Sequence, residues 1–240
     1  MSVSNEFTVL SWNIDGVEEN CLHARTEAVI KYIEDTKPTI VMLQEVVPQS
    51  LTILMTSLST NILLSSLKRL LRVTYFQNTR MERHYLLLQR FQIHKRSVAV
   101  ITSHLESLGD GSKRRQNQLK FCLQKMIQSP SDYNVIFAGD MNLRDYEVQN
   151  IGGLPVNITD AWEAMGKNPA TEYTFDLKLN DNKCLPNNPR KRFDRMYYKR
   201  AESNTVQCVG FELVGLERLP CGMFTSDHFG MLGKFAFLDF

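Results

Sequence analysis

Oxygen- and nitrogen-bearing side chains recur in this sequence at one kind of place, the end of a short apolar run. "TVLSWNID" closes on Asn13 and Asp15, "TIVMLQE" on Gln44 and Glu45, "SVAVITSHLES" on His104, Glu106 and Ser107, and "NVIFAGDMN" on Asp140 and Asn142. "RFDRMYY" opens with Arg192, Phe193 and Asp194, and "TSDHFGMLGKFAFL" carries Asp227 and His228 at its start. Taken singly, an Asp or Asn after a strand is an ordinary turn former or helix cap, and "GDMN" an ordinary Gly-led turn. Glu45 alone reads as a solvated strand end and His104 as a structural histidine. As a set, they are what a sheet carries when its strand ends share one polar site.

Carboxylates and amides in this number offer hard oxygen donors. They suit a divalent cation such as Mg2+, which takes one or two carboxylates and keeps several waters. No Cys/His spacing suggests zinc. Histidines beside carboxylates suit proton handling, or hydrogen bonding to a charged phosphoryl oxygen. There is no G-x-S-x-G elbow and no Walker loop, so the residue types favour metal-assisted phosphoryl transfer over acyl transfer.

Alternating elements must position these residues. Between the apolar, β-branched runs lie two helix-like segments. His23 to Asp35 has Ala24, Ala28, Val29 and Ile33 in phase before Pro38, and Arg114 to Ile127 has Leu119, Cys122, Leu123 and Met126 on one face before Pro130. Strands alternating with helices predict a mixed α/β protein, and 240 residues suffice for one domain with a sizeable core. Residues 176–191, rich in Asn and Pro, read as a long surface loop. Leu51 to Val73 is leucine-rich but interrupted by polar residues. It fails the test of about 18 uninterrupted apolar positions for a membrane span.

The composition, 43% hydrophobic and 22% charged, is that of an ordinary globular protein, and a net charge of +2 is too small to mark nucleic-acid binding by itself. Basic residues cluster locally at Lys113-Arg114-Arg115, which reads as a solvated helix start, at Arg190-Lys191-Arg192 with Arg195, and at Lys199-Arg200. Five dispersed cysteines without a C-x-x-C pair fit reduced thiols, and the N-terminal stretch reads as no secretory signal.

"WNIDG", "LQEV", "SHLES", "GDMNLRD", "RFDR" and "SDHFG" stand in the order found in the endonuclease/exonuclease/phosphatase superfamily of Mg2+ phosphoesterases, which the chain resembles from residue 8 to near its end. "NLRD", "GGLPVNITDAWEAMG", "YTFD" and "RFDRMYY" resemble its 5′-tyrosyl-DNA phosphodiesterase branch, whose members remove topoisomerase II adducts. The resemblance implies an α/β (α+β) fold: a four-layer sandwich of two mainly antiparallel β-sheets flanked by helices, with the site at one rim. It implies one catalytic domain over 1–240 and a monomer without membrane attachment. It also implies a location in the nucleus and also the cytoplasm, in DNA double-strand-break repair. The substrates implied are DNA 5′ ends carrying a tyrosyl or peptide adduct, the topoisomerase II remnant.

By the same resemblance, Mg2+ (with Mn2+ as a substitute) is held by Glu45, with Asp15 direct or through water and Asp227 near its water shell. Asn13 bonds a phosphate oxygen or a metal water. Asp140 orients and activates the attacking water, and Asn142 fixes it against the phosphate. Asp194 holds the ring of His228, and His228 and His104 donate to the phosphoryl oxygens. Ser107, Arg144 and Arg83 contact phosphates, and Phe175 and Phe193 form an aromatic wall for the terminal nucleotide. In-line attack on a phosphodiester needs positioning and charge neutralisation more than covalent help. A phenol with pKa about 10 leaves more easily than a sugar alcohol, so one metal suffices.

The chain departs from the family pattern twice. Phe175 stands where a tryptophan is usual, which keeps the stacking character on a smaller ring. Residues 46–76 are shorter than the pattern by roughly one hairpin, so the sandwich is expected to be incomplete there or repaired by another segment. The chain begins close to its first strand, which predicts no N-terminal ubiquitin-binding segment of the kind common in the family. Two other readings stand beside the leading one. One is a catalytically weak variant that binds DNA ends or proteins. The other is a superfamily cousin acting on abasic DNA, RNA or phosphate esters, against which Arg144 and "DAWE" at 160–163 argue.

Overall fold

The computed structural model describes residues 5–60, 87–203 and 205–238. Arg83, and the 46–76 stretch beyond residue 60, lie outside the described residues. Within them two multi-stranded sheets face each other, with helices on their outer faces.

The first sheet runs β10-β11-β1-β2, from β1 (Glu6–Asn13), β2 (Ile40–Gln44), β10 (Val206–Val214) and β11 (Gly230–Phe237). The second runs β3-β4-β5-β9-β6, from β3 (Leu87–Ile93), β4 (Arg96–Thr102), β5 (Asn134–Asp140), β6 (Ile158–Asp160) and β9 (Asp194–Lys199). A short pair, β7 (Phe175–Asp176) and β8 (Arg190–Lys191), stands beside them. Two pairs are parallel, β1 with β2 and β4 with β5, and each is bridged by a helix. These are α1 (Leu22–Thr36) and α3 (Ser112–Ile127). The remaining pairs are antiparallel. This is the mainly antiparallel sandwich the resemblance implies.

Both faces of the central strands are covered, which is why they read as unbroken apolar runs. Alternate residues divide between layers. Phe7 and Val9 of β1 join Met42, Val100, Ile136, Met196 and Phe235 between the sheets. Leu10 and Trp12 point the other way, onto Val29, Ile30 and Ile33 of α1 and Leu54 of α2 (Pro48–Thr60). Each such side chain taken out of water contributes about 1.5–3 kcal/mol. Across the molecule, Leu119, Cys122, Leu123 and Met126 of α3 cover Ala99, Ile101, Val135 and Phe137.

Helix α1 stops where Lys37 turns left-handed at φ 47° and donates its N–H to Ile33, with Pro38 next. The run before it corresponds to the helix predicted over 23–35, and α3 to that predicted over 114–127. At the start of α3, Lys113 and Arg114 are exposed as the cluster suggests, but Arg115 is not. Arg115 is fully buried against Glu147, which is also fully buried, at 2.7 Å. Edge strand β3 has no sequence signature of the usual kind. Its hairpin turns on His94 and Lys95, both at positive φ, where Asn-Gly would be expected.

Candidate active site

Strand direction gathers the polar ends. In parallel pairs the C-terminal ends lie side by side, so Asn13 pairs Gln44 and Thr102 pairs Ala138. The antiparallel partners then begin at the same rim, with Asp194 opposite Asp140 and Met231 opposite Ser11. The rim is stitched by backbone bonds between loops. Ile14 donates to Gln44 at 3.1 Å, Gly16 to Glu45 at 3.1 Å, Leu105 to Asp140 at 2.9 Å and Met141 to Phe193 at 3.1 Å. A Cβ on Gly16 would stand 2.2 Å from the Glu45 carbonyl, so the approach needs glycine.

Three of the predicted residues leave their strands through left-handed backbone: Asp15 at φ 47°, Glu45 at 53° and Asn142 at 49°. Asn and Asp accept this conformation more readily than Glu does, and such residues concentrate at functional sites. The reversal turns three side chains toward the same rim.

Asn13 is the hub. Its amide Nδ2 donates to Glu45 Oε1 at 3.0 Å and to Asp140 Oδ2 at 2.9 Å, while its Oδ1 accepts from the Asp15 N–H. Asp140 also accepts from the Asn142 N–H at 2.9 Å through Oδ1. His104 spans the two acids, Nε2 at 3.4 Å from Asp140 and Nδ1 at 3.8 Å from Glu45. His228 faces Asp140 at 3.8 Å through Nε2 and holds Asp194 at 2.7 Å through Nδ1. Burial alone would draw the His228 pKa down, but Asp194, Asp140 and Asp227 outweigh it and hold it well above the ordinary value of 6.5. Burial likewise pushes Asp140 up, and His228, His104 and the Asn13 and Asn142 donors reverse this and keep it below its ordinary value.

A cleft opens on the other side of Glu45, lined by Asp15, Glu18, Glu19, Glu45, Asp227 and Lys183. Two tighter groups also bring carboxylates and imidazoles together, Glu45–His104–Asp140 and Asp140–Asp194–His228. Their facing oxygens already accept from Asn13 and Asn142 or pair with His228. The cleft fits a hard cation better. Five carboxylates line it, and the buried Asp15 Oδ2 meets the Lys183 ammonium at 3.1 Å with no further hydrogen-bond partner. Burial and the Asp227 charge raise the Asp15 pKa to about 7, which a divalent ion would reverse.

Of the predicted substrate contacts, those among the described residues lie around this rim. Arg144 stacks its guanidinium 5.1 Å over the half-buried Phe193 ring and donates to the Asn142 carbonyl at 2.8 Å. Ser107 is exposed on the loop after His104. Phe175 is only 7% exposed and packs behind Phe193 and His228, with centroids 5.4 and 5.2 Å away. Of the two rings expected to wall the site, Phe193 is therefore the more exposed.

Four supports were not foreseen. Arg25, buried, donates to the carbonyls of Ile14, Asp15, Glu18, Asn20 and Thr225 beneath the Asp15 turn. Ser226 Oγ donates to the Asn13 carbonyl at 2.6 Å and accepts from the His228 N–H. Trp12 is buried in the core, and its indole N–H also donates to the His228 carbonyl at 2.9 Å. The 176–191 stretch is less a surface loop than expected. Its ends pair as β7 and β8, Asn180 is fully buried, and Lys183 enters the cleft.

Comparison with known proteins places the chain in a family. The model of the Endonuclease/Exonuclease/phosphatase family matches residues 10–228. Tyrosyl-DNA phosphodiesterase 2 of Bos taurus is 37% identical over 94% of this chain and 66% of its own length; that of Homo sapiens is 37% identical over 94% and 67%. The chain thus spans about two thirds of the length of these curated relatives. A crystal structure of D. rerio TDP2 complexed with single strand DNA product superposes with TM-score 0.86 at 33% identity, over 96% of this chain and 98% of that one. The human Nocturnin catalytic domain, at TM-score 0.63 and 17% identity, shares the fold. The chain therefore belongs to the endonuclease/exonuclease/phosphatase family and, within it, to the tyrosyl-DNA phosphodiesterase 2 branch.

Proposed function

We propose that this chain is a hydrolase of the phosphodiester bond joining tyrosine to DNA 5′ ends, acting on topoisomerase II remnants in the nucleus with Mg2+ as cofactor. The observation that carries the reading is the Asn13 hub, one amide shared by the acid of the metal cleft, Glu45, and the acid of the histidine cluster, Asp140. Binding of DNA ends is supported by the likeness to the D. rerio structure with its DNA product.

Glu45, Asp15 and Asp227 would hold the cation, which, when bound, supplies neutralisation of phosphoryl charge. Asp140, kept ionised by its histidines, accepts a hydrogen bond from the attacking water and takes its proton. Asn142 orients that water. His228, held protonated by Asp194 and Asp140, donates to a phosphoryl oxygen as charge builds there, and His104 stands across from it. Arg144 and Phe193 hold the strand, and Ser107 adds a phosphate contact. Water itself suffices to protonate a departing phenolate of pKa about 10.

The test is release of tyrosine from a 5′-phosphotyrosyl oligonucleotide with Mg2+ titrated, run beside abasic and simple phosphate-ester substrates. Glu45→Gln and Asp140→Asn are each expected to lower turnover by about a hundredfold or more while circular dichroism stays unchanged. Full activity in both variants, or a preference for the other substrates, would overturn the proposal.

A further inference from the structure

Among the described residues, the cleft beside Glu45 is lined by one cationic side chain. Among the residues lining it Lys183 faces five carboxylates, and its Nζ lies 3.1 Å from Asp15 Oδ2 and 3.1 Å from Glu18 Oε2. It does not drift in from solvent. Asn180 donates to the Ser226 carbonyl at 2.8 Å, and Asn182 exchanges two bonds with the Phe224 backbone, so the loop is fastened to the segment that carries Asp227. The lysine side chain is 31% exposed, whereas that of Asp15 is 5% exposed. An ammonium tethered in this way reaches a buried carboxylate oxygen of the cleft that has no other partner among the described residues.

We infer that Lys183 is a resident counter-ion of the metal cleft, competing with the divalent cation for the Asp15 carboxylate and so setting how much divalent ion the chain requires. The inference rests on the cleft being the metal site, as read above. A lysine whose work was instead to grip substrate phosphate would leave ion uptake unchanged and act on KM for DNA. A second positive charge within about 4–6 Å of a hard-ion site weakens it by repulsion and by occupying a ligand, and the ammonium is a compact point charge well suited to both.

The test is direct Mn2+ titration of the full chain without DNA, following loss of the free-ion electron paramagnetic resonance signal. Wild type is compared with Lys183→Met, Lys183→Gln, Lys183→Arg and Glu45→Gln. Lys183→Met and Lys183→Gln should bind Mn2+ about three- to tenfold more tightly, and Lys183→Arg, which keeps the charge, within about twofold of wild type. The advantage should shrink as ionic strength rises. Impaired uptake in Glu45→Gln with unchanged or weaker uptake in both neutral variants would sink the competition and leave the metal site standing. If wild type takes up no Mn2+, the metal reading fails and the inference fails with it.

Discussion

Asp194 Oδ2 and His228 Nδ1 lie 2.7 Å apart, both buried, and this contact leaves Nε2 as the ring nitrogen free for chemistry. Because the folded-state pKa of His228 is raised, its stabilising effect is complete below the unfolded value of about 6.5 and is lost as pH rises through the folded value. Asp194→Asn should therefore be most destabilising relative to wild type on the acid side of that window, with the gap closing as pH rises. Turnover should fall by about a hundredfold or more, and the alkaline limb of the pH–rate profile should move to lower pH. Urea unfolding at several pH values and a pH–rate profile check both parts.

Asp15 gives a pH dependence of the same sign from a different cause, since here it is the neutral form that the fold favours. Its pKa, raised by burial first and Asp227 second, is about 7, against about 3.9 unfolded. The folded, metal-free chain then holds a proton that the unfolded chain releases, so its stability declines as pH climbs between these values. Uptake of a divalent ion must expel that proton. Affinity should rise about tenfold per pH unit up to about pH 7 and then level off. Asp15→Asn should flatten the slope. Calorimetry in buffers of different ionisation enthalpy reads the proton released.

Arg25 is expected to matter through shape rather than charge. Arg25→Lys keeps the positive charge but cannot serve carbonyls fanned around a planar fork, and should lower stability by about 2 kcal/mol. Because those carbonyls belong to the Asp15 turn, Mn2+ affinity should fall as well. Denaturant unfolding with and without Mn2+ separates the two effects.

Phe193 and Phe175 should part company under substitution. Phe193→Ala removes the half-buried ring on which Arg144 stacks and should raise KM for tyrosyl DNA by about tenfold, with kcat less affected. Phe175→Ala empties a buried place behind His228 and should instead lower stability by about 3–5 kcal/mol. Steady-state kinetics and thermal unfolding distinguish them.

The apolar runs ending in Asn13, Glu45, His104 and Asp140 were readable because central strands covered on both faces leave a continuous signature, and the rim is where that signature stops. Helices α1 and α3 were readable from their apolar phase for the same reason. Strand β10 was not, because its exposed residues mix with small and polar ones and a bulge between Cys208 and Gly210 breaks the alternation. Arg25 lay hidden inside a helical pattern, since a long cation on the first turn gives no sign that carbonyls await it. Lys183 lay hidden in a loop, because only the folded chain shows that Asn180 and Asn182 fasten it against the rim.

The left-handed backbone at Asp15, Glu45 and Asn142 sets this molecule's durability against its chemistry. Each departure from the ordinary regions costs on the order of 1–3 kcal/mol, and glycine would remove most of that. Glu45→Gly should thus melt higher than a mere ligand deletion such as Glu45→Ala, and neither should turn over substrate. Any programme that hardens this fold by thermal selection alone will drift toward glycine at these corners, trading the enzyme for a sturdier shell. Selection that alternates heat with catalysis is the way to keep both.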